Sequence, residues 1–291
     1  MKQSSINAHP GEKPPLFSAA FMSMASPCQV DINIQNKKQA EQLISLIQKE
    51  AWRIEQKFSR FRQDNLIYLI NQGKTVQLDD EIEKILHYAE NCYQLSDGLF
   101  DITTGTLKKI WRFNDTFQFP SVDEINDAKK CVGWEKVIWH PPFFQLPPKM
   151  EIDFGGLVKE YAVDKCAQLL MEHFPDDFLI NFGGDLFIKG KHTIGIENPH
   201  LLNHAASAIT ANTGGIATSG TSRQYIDREG KRYSHIINPK TGYPVEEAPK
   251  SVTVFAETCI EAGFYATLAL LQGKNAQKFC DENEIKAWCI F

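Results

Sequence analysis

The chain has 291 residues, of which 43% are hydrophobic and 23% charged, and its formal net charge is -5. Those proportions suit a globular fold with a sizeable core and exclude collagen, coiled coil and wholesale disorder. The mild acidity and the lack of a Lys/Arg-dense run disfavour a nucleic-acid partner, and no run approaches the length of apolar sequence that a transmembrane segment needs.

Residues 1–19 are polar and contain Pro10, Pro14 and Pro15, with no apolar stretch of the kind a secretory signal carries. A flexible leader is expected there, followed by one domain over residues 20–291, since no Pro/Gly/Ser-rich linker divides the rest. Cys28, Val30, Ile32 and Ile34 alternate, which predicts a strand. Ala40, Leu43, Ile44, Ile47, Ala51, Ile54 and Phe58 repeat at helical spacing and predict a helix over 36–58. Ile82, Ile85, Leu86 and Tyr93 predict another over 79–95, with Asp79 and Asp80 as candidate N-caps and a stop near Asp97-Gly98. Residues 111–149 read as a short helix, hairpin-like strands and a turn at Pro141-Pro142. A short strand at 152–154 and a helix over 157–173 follow. Further strands are expected at 178–182, 193–196, 216–219, 233–237 and 252–256, then an apolar helix over 258–271 and a last strand at 287–291. This order predicts an α+β fold with a mixed, largely antiparallel sheet. Seven scattered cysteines without a C-x-x-C pair read as reduced thiols, hence a reducing cytoplasm.

Three Gly pairs stand out: Gly155-Gly156, Gly183-Gly184 and Gly214-Gly215. Each suits either a tight turn or backbone that approaches a ligand closely. The first opens a predicted helix, whose N-terminus favours an anion, and Lys159 nearby could neutralise a phosphate. Neither G-x-G-x-x-G nor a P-loop occurs. The segment from Ser219 to Pro244 brings hydroxyls, Arg223, Arg232 and His235 together, a mix that suits proton transfer beside an anion or simply a polar hairpin. Asp97, Asp101, Asp153, Asp164 and Asp185 flank turns or helix starts, where an Asp commonly caps. No His/Cys/Asp set has zinc spacing, and an oxygen-bound Mg²⁺ would leave a fainter trace.

Taken in order from residue 21 to residue 273, these segments resemble the FAD:protein FMN transferase (ApbE) family. The resemblance is carried by Met24-Ala25-Ser26, Phe58-Ser59-Arg60-Phe61, the Asp97 to Gly105 loop, and Asp153-Phe154-Gly155-Gly156 with Lys159 and Asp164. It continues in Asn181-Phe182-Gly183-Gly184-Asp185, Thr218-Ser219-Gly220, Ser234-His235, Asn238-Pro239-Lys240-Thr241-Gly242-Tyr243-Pro244 and Ala266-Thr267. It implies a T-fold-like α+β unit that splits FAD at its pyrophosphate with Mg²⁺, joins FMN to a Ser or Thr of an acceptor flavoprotein and releases AMP. It places His235 as the catalytic base. Met24, Phe61, Asp101, Gly155, Gly156, Lys159, Asp164, Gly183, Gly184, Ser219 and Arg223 fall in the flavin nucleotide site, and the Val158 carbonyl and Thr267 hold the metal. Two positions depart from the family pattern. Glu160 stands where Gly is usual, and Gly263 stands where the metal-binding Asp is usual, so Glu160 and Glu261 become candidates to compensate. The family's lipoprotein leader is not found in the sequence, which implies a cytoplasmic member. A binding protein with little catalysis, or a pyrophosphatase that yields FMN and AMP, are the alternatives.

Overall fold

A computed structural model describes residues 5–9, 16–113, 119–174, 176–201, 203–221, 225–228 and 231–291. Eight strands form its main sheet: β1 (Ser5–His9), β2 (Leu16–Ser23), β3 (Ser26–Asn33), β4 (Phe178–Phe182), β5 (Asp185–Lys189), β6 (Gly214–Gly220), β7 (Ser251–Ala256) and β8 (Ala287–Ile290). Every neighbouring pair is antiparallel, and the order across the sheet is the order along the chain. The expected α+β class with a largely antiparallel sheet is what the structure has.

Three helices lie side by side on one face of the sheet. α1 (Lys37–Phe58) packs on β2, and two later helices, Val158–His173 and Cys259–Leu271, pack on β4–β5 and on β6–β7 respectively. The Asn36 side chain accepts the Gln39 amide at 3.2 Å and starts α1. Its apolar residues then fall at three- and four-residue steps, so one stripe from Ala40 to Phe58 is buried. The opposite face of β5–β8 is covered by a hairpin of His192–Glu197 and Ala205–Ala211. In β5, Phe187 therefore belongs to the helix-side core, while Leu186 and Ile188 join Ile196, Ile209 and Ile216 on the other side.

Between β3 and β4 the chain builds a second body of structure that overhangs the sheet. It contains α2 (Asp80–Leu95), a three-stranded sheet of Val76–Gln77, Phe143–Gln145 and Ile138–His140, and the short helices Gly105–Ile110 and Val122–Lys129. Asp79 is the N-cap of α2, accepting the Glu81 and Ile82 amides at 3.0 and 3.1 Å, and Asp80 is the first helical residue. The helix stops as expected: Asp97 and Gly98 both take positive φ. The two sheet-side helices Val158–His173 and Cys259–Leu271 are called α3 and α4 below.

Three expectations need correction, and one strand was missed. Residues 5–9 and 16–19, assigned to the leader, are strand, and Phe17 and Ala19 are core residues. Residues 152–154 are not a strand: Asn71 takes both hydrogen bonds of Ile152 (3.1 and 2.8 Å), and pairing goes no further than an isolated bridge between Thr104 and Glu151. The strand expected over 233–237 ends at Ser234, and His235 sits at a bend. The strand β5 was not anticipated at all.

Gly215 is where α4 meets the sheet. A Cβ there would fall 2.2 Å from the Cys259 amide nitrogen and from the Thr258 carbonyl carbon. Backbone cannot yield as a side-chain tip can, so Gly215→Ala is expected to cost about 3 kcal/mol in a urea melt, near the top of the usual overpacking range.

Candidate active site

A cleft of about 1080 Å³ opens between the overhanging body and the sheet-side helices. Five short segments line it: the β2–β3 turn, the stretch after α1, the loop before Gly105–Ile110, residues 153–159 and the bend at His235, with Thr267 of α4 beneath. Met24, Phe61, Asp101, Gly155, Gly156, Val158, Lys159, His235 and Thr267, all named from sequence, meet on this one surface.

The β2–β3 turn is held in an unusual backbone. Met24 and Ala25 both have positive φ (50° and 55°), the geometry of a type I′ hairpin turn without its usual Asn or Gly. Trp52 of α1 donates its indole N–H to the Met22 carbonyl at 3.0 Å and ties the hairpin to the helix. Beside the turn, a Cβ on Gly183 would lie 2.8 Å from the Ser26 Cβ and 3.9 Å from the Lys159 Cδ. Gly183 and Gly184 are thus the β4–β5 turn, packed behind Ser26, and they do not line the cleft. Gly184 donates its amide to Asn181 at 2.9 Å.

Asp153 organises the cationic wall. It accepts Lys108 Nζ at 2.8 Å, faces Arg60 Nε at 3.7 Å and accepts the Gly155 amide at 2.8 Å. Burial alone would raise its pKa, but Lys108, Arg60 and these hydrogen bonds outweigh burial and bring it down to about 2. Arg60 also lies 4.8 Å over the ring of Phe61, which is 84% exposed at the rim. The Gly155 amide is therefore committed to Asp153, whereas Gly156 has only the Phe100 ring at 3.8 Å from an added Cβ. Asp101 is buried, which raises its pKa, and its Oδ1 accepts both the amide and the hydroxyl of Thr103 at 2.7 Å.

Lys159 forms an ion pair with the buried Asp185. Burial would lower the lysine pKa, and Asp185 outweighs it and pulls it up. Glu160, next along α3, is 7% exposed, and its Oε2 has no hydrogen-bond partner among the described residues. Its pKa is raised by burial and by the neighbouring Asp185 carboxylate. Ser219 is placed behind the cleft, where its hydroxyl meets the Thr267 hydroxyl at 2.7 Å.

His235 is positioned by the turn that follows it. The Asn238 side chain accepts the Lys240 and Thr241 amides at 2.9 and 3.3 Å, and the Asn238 carbonyl accepts Gly242 at 2.8 Å. Val245 donates back to the Ile236 carbonyl at 2.9 Å, Trp111 donates to the Gly242 carbonyl at 2.8 Å, and Lys240 pairs with Asp97 at 2.7 Å. The N-P-K-T-G-Y-P sequence is thus a brace that links the His235 bend to the loop at the end of α2. Arg223 lies outside the described residues.

The family model for the ApbE family matches residues 24–290. The chain belongs to the ApbE family. Relatives of this ApbE-family chain include the FAD:protein FMN transferase of Klebsiella pneumoniae, 27% identical over 91% of this chain and 84% of that protein. The FAD:protein FMN transferase of Chlamydia muridarum is 29% identical over 89% of this chain and 84% of its own length. The crystal structure of the ApbE protein of Thermotoga maritima superposes with a TM-score of 0.84 at 26% identity, covering 98% of this chain and 93% of that one.

Within this ApbE-family cleft, sequence reasoning missed Lys108 and the role of Asp153 as its anchor. Lys108 carried no motif; its only signal was its place one turn after the Asp97 to Gly105 loop. Asp164 is also differently employed from expectation. Its two oxygens accept the Cys259 and Ile260 amides at 2.7 and 2.8 Å, so it caps α4 from a neighbouring helix and is not among the cleft residues. Asp164→Ala is expected to lower stability by about 1–2 kcal/mol, as for a lost helix cap, with flavin nucleotide affinity of the folded protein unchanged in a fluorescence titration.

Proposed function

We propose that the chain transfers FMN from FAD to a Ser or Thr hydroxyl of an acceptor flavoprotein and releases AMP. The observation that carries this reading is the convergence of His235 with Arg60, Lys108 and Lys159 on one cleft of about 1080 Å³, roomy enough for a dinucleotide. The relatives' name supplies the substrate and the reaction class.

Phosphoryl transfer depends mainly on positioning and on neutralising charge. Arg60, Lys108 and Lys159 offer that charge from two sides of the cleft. His235 accepts the proton of the acceptor hydroxyl as the oxygen attacks the FMN-side phosphorus, and the bond to the AMP phosphate oxygen breaks. Phe61 and Met24, at the rim, offer apolar surface to the isoalloxazine.

Mg²⁺ is the metal proposed for this site. Among the described residues no three His, Cys, Asp or Glu side chains gather as a metal cluster, so its donors would be mostly neutral oxygens. The Val158 carbonyl and the Thr267 hydroxyl would hold it, and the orphaned Oε2 of Glu160 fits the need for a charged oxygen. When bound, Mg²⁺ neutralises the pyrophosphate oxygens and makes the attacked phosphorus more electrophilic. Among the described residues no helix is long and apolar enough to cross a membrane, and the scattered thiols support a cytoplasmic site of action.

The deciding experiment incubates the protein with FAD, Mg²⁺ and a Thr-bearing acceptor domain and reads intact masses. An acceptor heavier by FMN less water, with AMP released, is the expected result. Free FMN and AMP with an unmodified acceptor would favour hydrolysis, and FAD left intact would favour a binding role.

A further inference from the structure

Glu160 is the buried acid that the fold leaves unexplained. It projects from α3 toward α4, and α4 has no side chain where it arrives. A Cβ on Gly263 would fall 2.7 Å from Glu160 Cγ and 3.1 Å from both Cδ and Oε1. The glutamate therefore fills the space that a side chain at 263 would occupy. One turn further along the same helix, Thr267 faces the cleft. Two residues before Glu160 on α3, Val158 faces the cleft as well.

The charges around it do not balance. Glu160 and Asp185 are both buried, and the half-buried ammonium of Lys159, at the cleft wall, is paired with Asp185. The Oε2 of Glu160 has no hydrogen-bond donor among the described residues. An unpaired buried carboxylate is costly unless a cation or a proton joins it. The Thr267 hydroxyl, one turn from Gly263 on α4, and the Val158 carbonyl at the start of α3 are hard oxygen donors, which suit a cation such as Mg²⁺ or Mn²⁺.

We infer that Glu160 is the charged ligand of a divalent cation held between α3 and α4, and that Gly263 is the vacancy that admits it. The inference deepens the phosphoryl-transfer reading of the cleft and rests on it for the need for a metal. Glu261, the other candidate from sequence, lies in the first turn of α4, beside the cap that Thr258 and Asp164 form, and is not among the buried residues of that helix.

The test uses the full-length protein with Mn²⁺ alone. Free Mn²⁺ is followed by electron paramagnetic resonance, and the melting temperature is read on the same samples. Glu160→Gln is expected to weaken Mn²⁺ binding on the order of 10–100-fold, the range for disturbing a metal site's tuned donors. In EDTA the same variant should melt above the wild type, since an uncompensated buried charge has gone. Added Mn²⁺ should then raise its melting temperature less than it raises the wild type's. Gly263→Asp alone should fold poorly, because two side chains claim one space. Glu160→Gly combined with Gly263→Asp clears that overlap, returns a carboxylate from α4 and should recover Mn²⁺ binding. Wild-type Mn²⁺ affinity in Glu160→Gln, or no binding by the wild type at millimolar Mn²⁺, would overturn the inference. FMN attachment is scored separately. Labelled acceptor with Glu160→Gln binding Mn²⁺ normally defeats the ligand and spares the transferase. Mn²⁺ binding lost in Glu160→Gln, with no acceptor ever labelled by wild type, does the reverse.

Discussion

His235→Ala is expected to slow FMN attachment by about 10²–10⁴-fold, the usual worth of a general base. The loss should fall on kcat, with KM for FAD little changed. The cations that would meet the pyrophosphate belong to other elements and are held by carboxylates there, Arg60 and Lys108 by Asp153 and Lys159 by Asp185. A group that acts only on the incoming hydroxyl contributes in the transition state and little in the ground state. Single-turnover mass spectrometry with saturating FAD separates the two. A variant that labels its acceptor at the wild-type rate would remove His235 from the chemistry and leave it as part of the cleft wall. A variant that loses FAD binding instead would make it a nucleotide contact.

Asp153→Asn is expected to cost about 3 kcal/mol of stability in a urea melt at pH 7. That is the lower end for breaking a buried ion pair, because Lys108 keeps partial access to water. The pH dependence follows from the direction of the shift. The folded-state pKa, about 2, lies below the ordinary aspartate value of 3.8. The stabilisation is therefore fully present above the ordinary value and is lost as pH falls toward 2. Wild-type protein should lose stability over that interval, and Asp153→Asn should lose less there. Equal acid slopes in the two proteins would mean that the charge on Asp153 does not stabilise the fold.

The helices were legible from their apolar residues. α2 had in addition Asp79 at one end and Asp97-Gly98 at the other, whereas α1 and α4 were read from apolar residues alone and their caps, Asn36 and Thr258, are seen only in the structure. β5 was not legible. Its side chains are buried on both faces, so Leu186, Phe187 and Ile188 show no alternation, and it opens on an acid. Residues 152–154 erred in the opposite sense: three residues with the look of a strand are a loop, in which the backbone of Ile152 is satisfied by a side chain distant in sequence, Asn71, and the Phe154 carbonyl by the turn into α3.

The site divides in a similar way. Residues that reach the cleft from five separate segments were collected by motif alone, and the structure brings them onto one surface. Gly183-Gly184 and Asp164 share the residue types of ligand contacts, but one is a hairpin turn and the other a helix cap. Composition cannot separate these uses, since both rest on the same backbone geometry and the same hydrogen-bonding groups. The meeting of Glu160 with Gly263 was beyond reach for a plainer reason: two residues on different helices, a hundred positions apart, reveal their fit only when the helices are packed.

The meander of the main sheet has a consequence for biosynthesis. The longest interval between neighbouring strands lies where β3 ends at Asn33 and β4 begins at Phe178. The overhanging body of the cleft is encoded entirely within that interval. At the ~5–20 residues per second of chain elongation, β3 spends roughly 7–30 s without its partner strand. Until then it presents an open row of amides and carbonyls, the feature by which strands recruit the wrong neighbour. α1, emerging directly after it, can cover its apolar face but not that edge. The seam between Asn33 and Phe178 is thus where a nascent chain of this protein is most exposed to mispairing and most in need of a chaperone.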